Sequence, residues 1–286
     1  MLPEPFVFDV DGKPVLVPFV RMSGSRLKWK IYCGFPLGGY DVIFDMDGTV
    51  LRDDKLRSAL AALAALKIDD IEFTLWPMVN LTPSPPWVSQ EHETSIIDLA
   101  GGVDAAIENM DGRTRRMAGQ AQRRGVVVHE TNDAASVASY YDLLLLSAKR
   151  WGRAAPTVSR TFVEALANFG GHDVELWLAH YEGKAIAGLM LLYGSEEVNV
   201  WSAAMDADYA VLRPHNILHV AAMRAAAARG VRWYNLGSSE GLPGVKKFKE
   251  GLGAQTVHYN RLRLEKGLYR SYRALRRTLS PRRQPE

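Results

Sequence analysis

Cysteine is almost missing from this sequence: Cys33 is the single one among 286 residues. No internal disulfide can form, which fits a reducing compartment, and one thiol does not make a metal site. No apolar run reaches the roughly 18 residues needed to cross a bilayer, and no basic segment leads into a long apolar stretch. Neither a membrane span nor a signal peptide is therefore expected, and the reading is a cytoplasmic protein. Charge is also scarce in net terms, at +3, too little to argue for a nucleic-acid partner without looking at its distribution. What is present suits a globular enzyme, 47% hydrophobic and 23% charged, with enough apolar material for one large core or two smaller ones.

The opening residues read as two strands, Phe6 to Val10 and Pro14 to Val20, turned by Asp11-Gly12-Lys13. Leu27 to Cys33 reads as a further strand and Gly34 to Tyr40 as a Gly/Pro loop that either lines a cleft or simply connects. The run Val42-Ile43-Phe44-Asp45-Met46-Asp47-Gly48-Thr49 resembles the nucleophile motif of haloacid-dehalogenase-like phosphatases, with Asp45 attacking phosphorus and Asp47 donating a proton. That chemistry needs later acidic residues at strand ends to hold Mg²⁺, and none follows in the required place. Asp47-Gly48 is accordingly read as a turn, and the phosphatase is kept as a remote alternative.

A helix over Asp53 to Lys67 presents Leu56, Leu60, Leu63 and Leu66 as a core stripe. Ile71 to Trp76 and Thr94 to Leu99 read as strands. Val103 to Arg124 reads as one helix carrying Arg113, Arg115, Arg116, Arg123 and Arg124, either a solvated face or a phosphate-facing patch. Helices over Ser136 to Trp151 and Ser159 to Phe169 precede three alternating strands, Val174 to Tyr181, Lys184 to Leu192 and Glu197 to Ala204. A helix over Ile217 to Arg229 follows, with Asn216 as its expected N-cap. His215 and His219 lie four apart, a spacing open to metal binding, but no third ligand is in view and a capping and a core-edge role are preferred.

The stretch Val231 to Gly253, VRWYNLGSSEGLPGVKKFKEGLG, begins as a strand and breaks at Gly237-Ser238-Ser239-Glu240-Gly241. Glycines admit close backbone approach, serines offer hydroxyls and Lys246, Lys247 and Lys249 follow, a pattern suited to an anion. Beyond it the segment Arg261 to Glu286 holds nine Lys/Arg against two acids, with Leu264, Leu268, Tyr272, Leu275 and Leu279 at helical spacing. Such a stripe can pack on the protein, lie on anionic lipid or touch tRNA phosphates, and packing is preferred for Leu264 to Leu275. Ser280 to Glu286 is expected to be disordered.

On Tyr234, Asn235, Gly237, Gly244, Val245, Phe248, Lys249, Gly251, Gly253 and Ala254 the chain resembles the Fem-type peptidoglycan-bridge aminoacyltransferases and their GNAT-like acyltransferase relatives. Arg115, Arg116, Ala121, Gly125, Val126 and Val128 extend the likeness upstream. The resemblance implies an α+β fold of tandem GNAT-like halves, each a largely antiparallel sheet flanked by helices, with the first half incomplete. The expected segments are 1–100, 101–265 and a basic helix and tail over 266–286. It implies an acyltransferase that joins an activated acyl donor, aminoacyl-tRNA, to an amine such as a peptidoglycan precursor, without a tightly bound cofactor. An acyl-coenzyme A donor used on a cell-surface polysaccharide or small metabolite, and a catalytically silent binding module, are the alternatives. Coenzyme A is in doubt because Tyr209 to Asn216 has no glycine where GNAT enzymes place a pyrophosphate loop. In the family the lysine of F-K-x-G holds an acceptor phosphate, which points to Lys249, with Lys247, Asn235, Gly237, Ser238 and Ser239 as further substrate contacts. Arg213, Asn216, Arg115 and Arg116 are the candidate donor contacts. No general base stands out, with Tyr234 and Glu240 only guesses, and contact with the inner face of the membrane through the basic C-terminal helix is conceivable.

Overall fold

The computed structural model describes residues 2–22, 29–34, 40–79, 81, 83–239 and 241–279. In chain order these form β1 (Leu2–Pro3), β2 (Phe6–Val10), β3 (Lys13–Val17), β4 (Val20–Arg21), β5 (Ile31–Cys33), β6 (Phe44–Asp45), α1 (Asp53–Ala65), β7 (Asp70–Thr74) and β8 (Val88–Asp98). There follow α2 (Val103–Glu108), α3 (Gly112–Arg123), β9 (Val127–Glu130), α4 (Ala134–Arg150), α5 (Arg160–Phe169), β10 (Val174–Tyr181), β11 (Lys184–Tyr193) and β12 (Glu197–Met205). The last elements are α6 (Pro214–Ala228), β13 (Trp233–Asn235), α7 (Pro243–Gly251), β14 (Gln255–Glu265) and α8 (Gly267–Leu279). Two compact units result, Met1–His92 with His258–Glu286, and Glu93–Val257.

In the first unit, β1, β4, β5, β7 and β14 lie in that order, antiparallel except for β5 with β7. A small sheet, β2-β3-β6, stands apart. Asp11-Gly12 makes the β2–β3 turn, both residues at positive φ, and Asp9 Oδ1 accepts from the Gly12 amide at 2.9 Å. Leu56, Leu60 and Leu63 of α1 are buried with Ile71, Phe73, Leu262 and Leu264, as their spacing predicts. The phosphatase-like run does not open a parallel βα array. β6 is two residues long and antiparallel to β3, and Asp45 Oδ1 accepts the amides of Asp47 and Thr49 at 3.1 and 2.8 Å. Asp45 closes a local turn, the chemistry of an Asx turn rather than of a nucleophile.

In the second unit the order is β8-β13-β12-β11-β10-β9, antiparallel throughout except for β12 with β13. Alternation divides the two faces of this sheet. Ala179, Ala187, Leu189 and Leu191 join Leu218, Ala222 and Met223 of α6 in one core. On the other face Gly188 meets α4, where a Cβ would lie 2.7 Å from a ring carbon of Tyr140.

Several expectations need correction. The helix over Val103 to Arg124 is two helices, because Asp111 accepts the Arg113 and Thr114 amides and caps α3 separately. α6 begins at Pro214, not Ile217; Arg213 is its N-cap in the left-handed region (φ 58°), and Asn216 sits inside the first turn, buried. A 3-10 turn, Ala207–Leu212, fills the lead-in. Gln255–Glu265, partly read as helix, is the long strand β14, which the expected segment 101–265 assigns to the second half and which pairs with β7 in the first unit. The proposed strand over Leu27 to Cys33 and the loop Gly34 to Tyr40 fall only in part, and Glu240 and Ser280 to Glu286 not at all, within the described residues. Among the described residues no helix is long and apolar enough to cross a membrane, and no group of three His, Cys, Asp or Glu is arranged to hold a metal ion.

Candidate active site

The two parallel strands of the second unit share little length. β12 pairs with β13 only over Glu197–Asn199 and Trp233–Asn235, although β12 itself continues to Met205. β13 stops because Gly237 follows at φ 73°, a conformation that costs other residues energy. Beyond Asn199 and Asn235 the ladder between these two strands ends, which leaves a fork in the sheet.

The side chains at this fork come from α6, β13 and α7. His215 Nε2 lies 3.1 Å from the Ala204 carbonyl on the β12 side, and His219 Nδ1 lies 2.9 Å from the Tyr234 hydroxyl on the β13 side. One turn of α6 therefore spans both prongs, since residues four apart share a helix face. Phe248 of α7 packs against both imidazoles, with ring centroids 6.5 and 5.6 Å away. Burial drives the pKa of His219 well below its ordinary value, helped by His215 and Lys249 nearby, and lowers that of His215. Burial also raises the Tyr234 phenol well above its usual range. At neutral pH the root of the fork thus holds two neutral imidazoles and a neutral phenol. Neither His219 nor Tyr234 was assigned a substrate role from the sequence. The i, i+4 histidine spacing is visible in the sequence, where a capping and a core-edge role are preferred to metal binding, but nothing there pairs His219 with Tyr234.

Asn235, fully buried, organises the end of β13. Its Oδ1 accepts from Thr94 Oγ1 at 2.7 Å and from the Gly237 amide at 2.8 Å, and its Nδ2 donates to Glu197 Oε1 at 3.1 Å. It ties three strands and the loop together, so its visible work is to set the loop's course. Lys249 has a similar place. Its side chain is buried, and Nζ donates to the carbonyls of Gly237 and Ser238 at 2.9 and 2.8 Å. A lysine reaching inward is what the sequence suggested, but in this structure it grips the loop backbone. Ser238 is exposed and Ser239 buried, while Lys247 is exposed and Lys246 pairs with Glu93 at 3.1 Å.

The glycines of the F-K-x-G-x-G run are explained by packing. A Cβ on Gly251 would lie 2.8 Å from Thr114 Oγ1, at the capped start of α3, and Gly253 adopts φ 85° beside the Asn109 carbonyl. The arginines of α3 are exposed. Arg115 donates to the Glu108 carbonyl and Arg124, the C-cap of α3, to that of Val211, while Arg116 is exposed. Arg213 is exposed at the start of α6.

Residues 109–250 match a family model described as an acetyltransferase (GNAT) domain. None of the curated protein sequences compared with this chain matches it. Among solved structures, the crystal structure of FemX is similar at TM-score 0.65 and 12% identity, covering 90% of this chain and 87% of that one. A conserved protein of unknown function from Bacteroides thetaiotaomicron gives TM-score 0.61 and 13% identity over 93% and 87% of the two chains. A tandem GNAT protein from the clavulanic acid biosynthesis pathway gives 0.51 and 11% over 93% and 85%. At such identities the likeness speaks for the fold. Fold, forked sheet and family model agree: residues 109–250 form an acetyltransferase (GNAT) domain, and the chain is an acyltransferase of tandem, Fem-like GNAT fold.

Proposed function

We propose that the protein forms an amide by moving an aminoacyl group from an aminoacyl-tRNA to an amine-bearing, phosphate-linked acceptor such as a peptidoglycan precursor, in the cytoplasm at the inner face of the membrane. The observation that carries this reading is the β12–β13 fork, where the parallel pairing stops after Asn199 and Asn235 and the extended acyl arm of a donor can lie between the two strands. The acceptor amine attacks the ester carbonyl, the tetrahedral intermediate collapses, the carbon–oxygen bond to the ribose breaks, and the amine's proton ends on the leaving hydroxyl. Alignment supplies most of the acceleration in such a reaction, and oriented amides beside the developing oxyanion supply more.

The donor assignment is supported by the segment leading into α6. Coenzyme A pyrophosphate is usually wrapped by glycine-rich backbone, whereas Ala207–Leu212 is a 3-10 turn without glycine and Arg213 caps the helix in its place. Arg213, Arg115 and Arg116 are the proposed contacts for the donor's phosphates, with Asn216 shaping the first turn between them and the core. Ser238, Ser239 and the exposed Lys247 are the proposed acceptor contacts, on a loop whose course Asn235, Gly237 and Lys249 maintain. The second reading, an acyl-coenzyme A donor, is favoured by the acetyltransferase description of the family model.

The test is direct. The protein is incubated with tRNA charged with labelled amino acids, or with labelled acetyl-coenzyme A, and with peptidoglycan precursors and other amines. Label transferred from tRNA supports the first reading, label from coenzyme A the second, and transfer from neither overturns both.

A further inference from the structure

α8 is an amphipathic helix with its apolar stripe on the outside. It carries Arg270, Arg273, Arg276 and Arg277 and no acid. Leu268, Tyr272 and Leu275, at i, i+4 and i+7, are 78%, 37% and 59% exposed and fall on one face. The helix is seated by a different residue. Tyr269 is buried, with its ring 5.4 Å from Trp29, and Trp29 also lies 6.3 Å from Tyr272. Arg270 anchors the first turn by donating to the Glu265 carbonyl, and Arg273 pairs with Glu265. The aromatic seat therefore fixes α8 with its leucines turned to water, the reverse of the packing expected from the sequence.

We propose that this face of α8 is a docking surface for an anionic phospholipid bilayer. Three features suit that occupant. A stripe of leucines edged by a tyrosine matches the boundary between acyl chains and headgroups, where aromatic rings settle. Arg273 is already paired with Glu265, but Arg270 donates to an uncharged carbonyl and the helix also carries Arg276 and Arg277, so α8 keeps a net positive charge complementary to anionic headgroups. No described helix can span a bilayer, so the contact is one of lying on the surface. This inference deepens the placement at the inner membrane face proposed above. It is read by binding rather than turnover, so its failure leaves the transferase reading intact.

The experiment is sedimentation of the full chain with vesicles of phosphatidylcholine alone or mixed with phosphatidylglycerol, at low and high salt. The expected result is sedimentation with the mixed vesicles, weakened by salt, and reduced about tenfold or more by Leu268→Glu with Leu275→Glu. Val7→Glu, at a 60% exposed position in the same unit, is expected to change nothing. If circular dichroism shows that the glutamates disturb the fold, Leu268→Ser with Leu275→Ser takes their place. No sedimentation, equal sedimentation with neutral vesicles, or leucine variants that bind like the parent would overturn the proposal. So would leucine variants that lose retention of tRNA while keeping that of vesicles, which would assign the face to nucleic acid.

Discussion

His219 Nδ1 and the Tyr234 hydroxyl meet at 2.9 Å across the space between α6 and β13, both groups buried and both held neutral. Tyr234→Phe keeps the ring and leaves the imidazole nitrogen without this partner. A buried polar group so abandoned costs about 1–3 kcal/mol. The expected outcome is a lowered urea midpoint with an unchanged slope, together with a fall in turnover larger than any change in donor KM, because the pair lies where the acyl arm is aligned.

The same burial makes a pH prediction. His219 and His215 have folded pKa values depressed below the ordinary histidine value, while the unfolded chain takes up protons near 6.5. In the window below about pH 6.5 the unfolded state binds more protons, so stability rises with pH there and falls as pH drops. His92 and His180 shift the same way, so the effect is shared. His219→Gln is expected to flatten the slope of melting temperature between about pH 5 and 6.5, measured by scanning calorimetry, relative to the parent. An unchanged slope would mean that His219 is charged in the native protein.

Lys249 invites a test that separates grip from ligand binding. Its Nζ bonds the carbonyls of Gly237 and Ser238, and hydrogen bonds from a charged group contribute about 1.5–3 kcal/mol each way they are measured. Lys249→Met preserves the stem and removes the charge. The expected result is loss of stability of that order in denaturant titration, with acceptor KM and kcat both impaired because the loop loses its course. Lys247→Met, at an exposed neighbour, is expected to raise acceptor KM severalfold while leaving the unfolding midpoint in place. The reverse pattern, with Lys249→Met altering KM alone, would restore the direct phosphate contact suggested by the family motif.

Much of this was legible in the chain. The run Val174 to Ala204 reads as three strands because its apolar segments are broken by turn residues at Glu182-Gly183 and around Gly194-Ser195, and Asp11-Gly12 reads as a hairpin because a two-residue turn needs positive φ. β14 was hidden by its own chemistry. Arg261, Arg263 and Glu265 alternate with Leu262 and Leu264, but Leu264, continued four residues on by Leu268, also fits a helical stripe. α7 was hidden by brevity and by its glycines, Gly244 and Gly251, which argue against a helix until packing on α3 is seen. The inward course of Lys249 could be guessed, but not its partners, because backbone carbonyls carry no signature in sequence. The fork itself is a pairing that stops early, and periodicity says nothing about where two strands cease to touch.

Asp45 sits in a motif that attracts attention for the wrong reason. Its carboxylate accepts two amides of its own turn, and an asparagine can accept the same bonds through Oδ1. Asp45→Asn is expected to change stability by less than about 1 kcal/mol and to leave acyl transfer as it was. The parent is expected to release no nitrophenol from nitrophenyl phosphate with Mg²⁺ present. Hydrolysis abolished by the substitution would return the phosphatase reading.

The first unit rests on one charged contact more than on others. Asp70, 1% exposed, takes a bidentate grip from Arg263, through Nε at 2.9 Å and through Nη2, where β7 pairs with β14. Arg263 also reaches Glu72 at 3.2 Å and Glu265 at 3.1 Å. Removing one member of a buried pair costs about 3–5 kcal/mol because the other charge is stranded. After Asp70→Asn, Arg263, 30% exposed, keeps two other carboxylates, so that change is the milder; Arg263→Met leaves the buried Asp70 to Arg273, 3.9 Å away and itself shared with Glu265, and is the harsher. The double variant Asp70→Asn with Arg263→Met removes both charges, and it is expected to recover a good part of the loss seen in Arg263→Met alone. Urea unfolding of the variants closes the cycle. A double variant as unstable as the sum of its parts would show that the two side chains act independently, and that β14 is held by its ladder and by Leu262 and Leu264 instead.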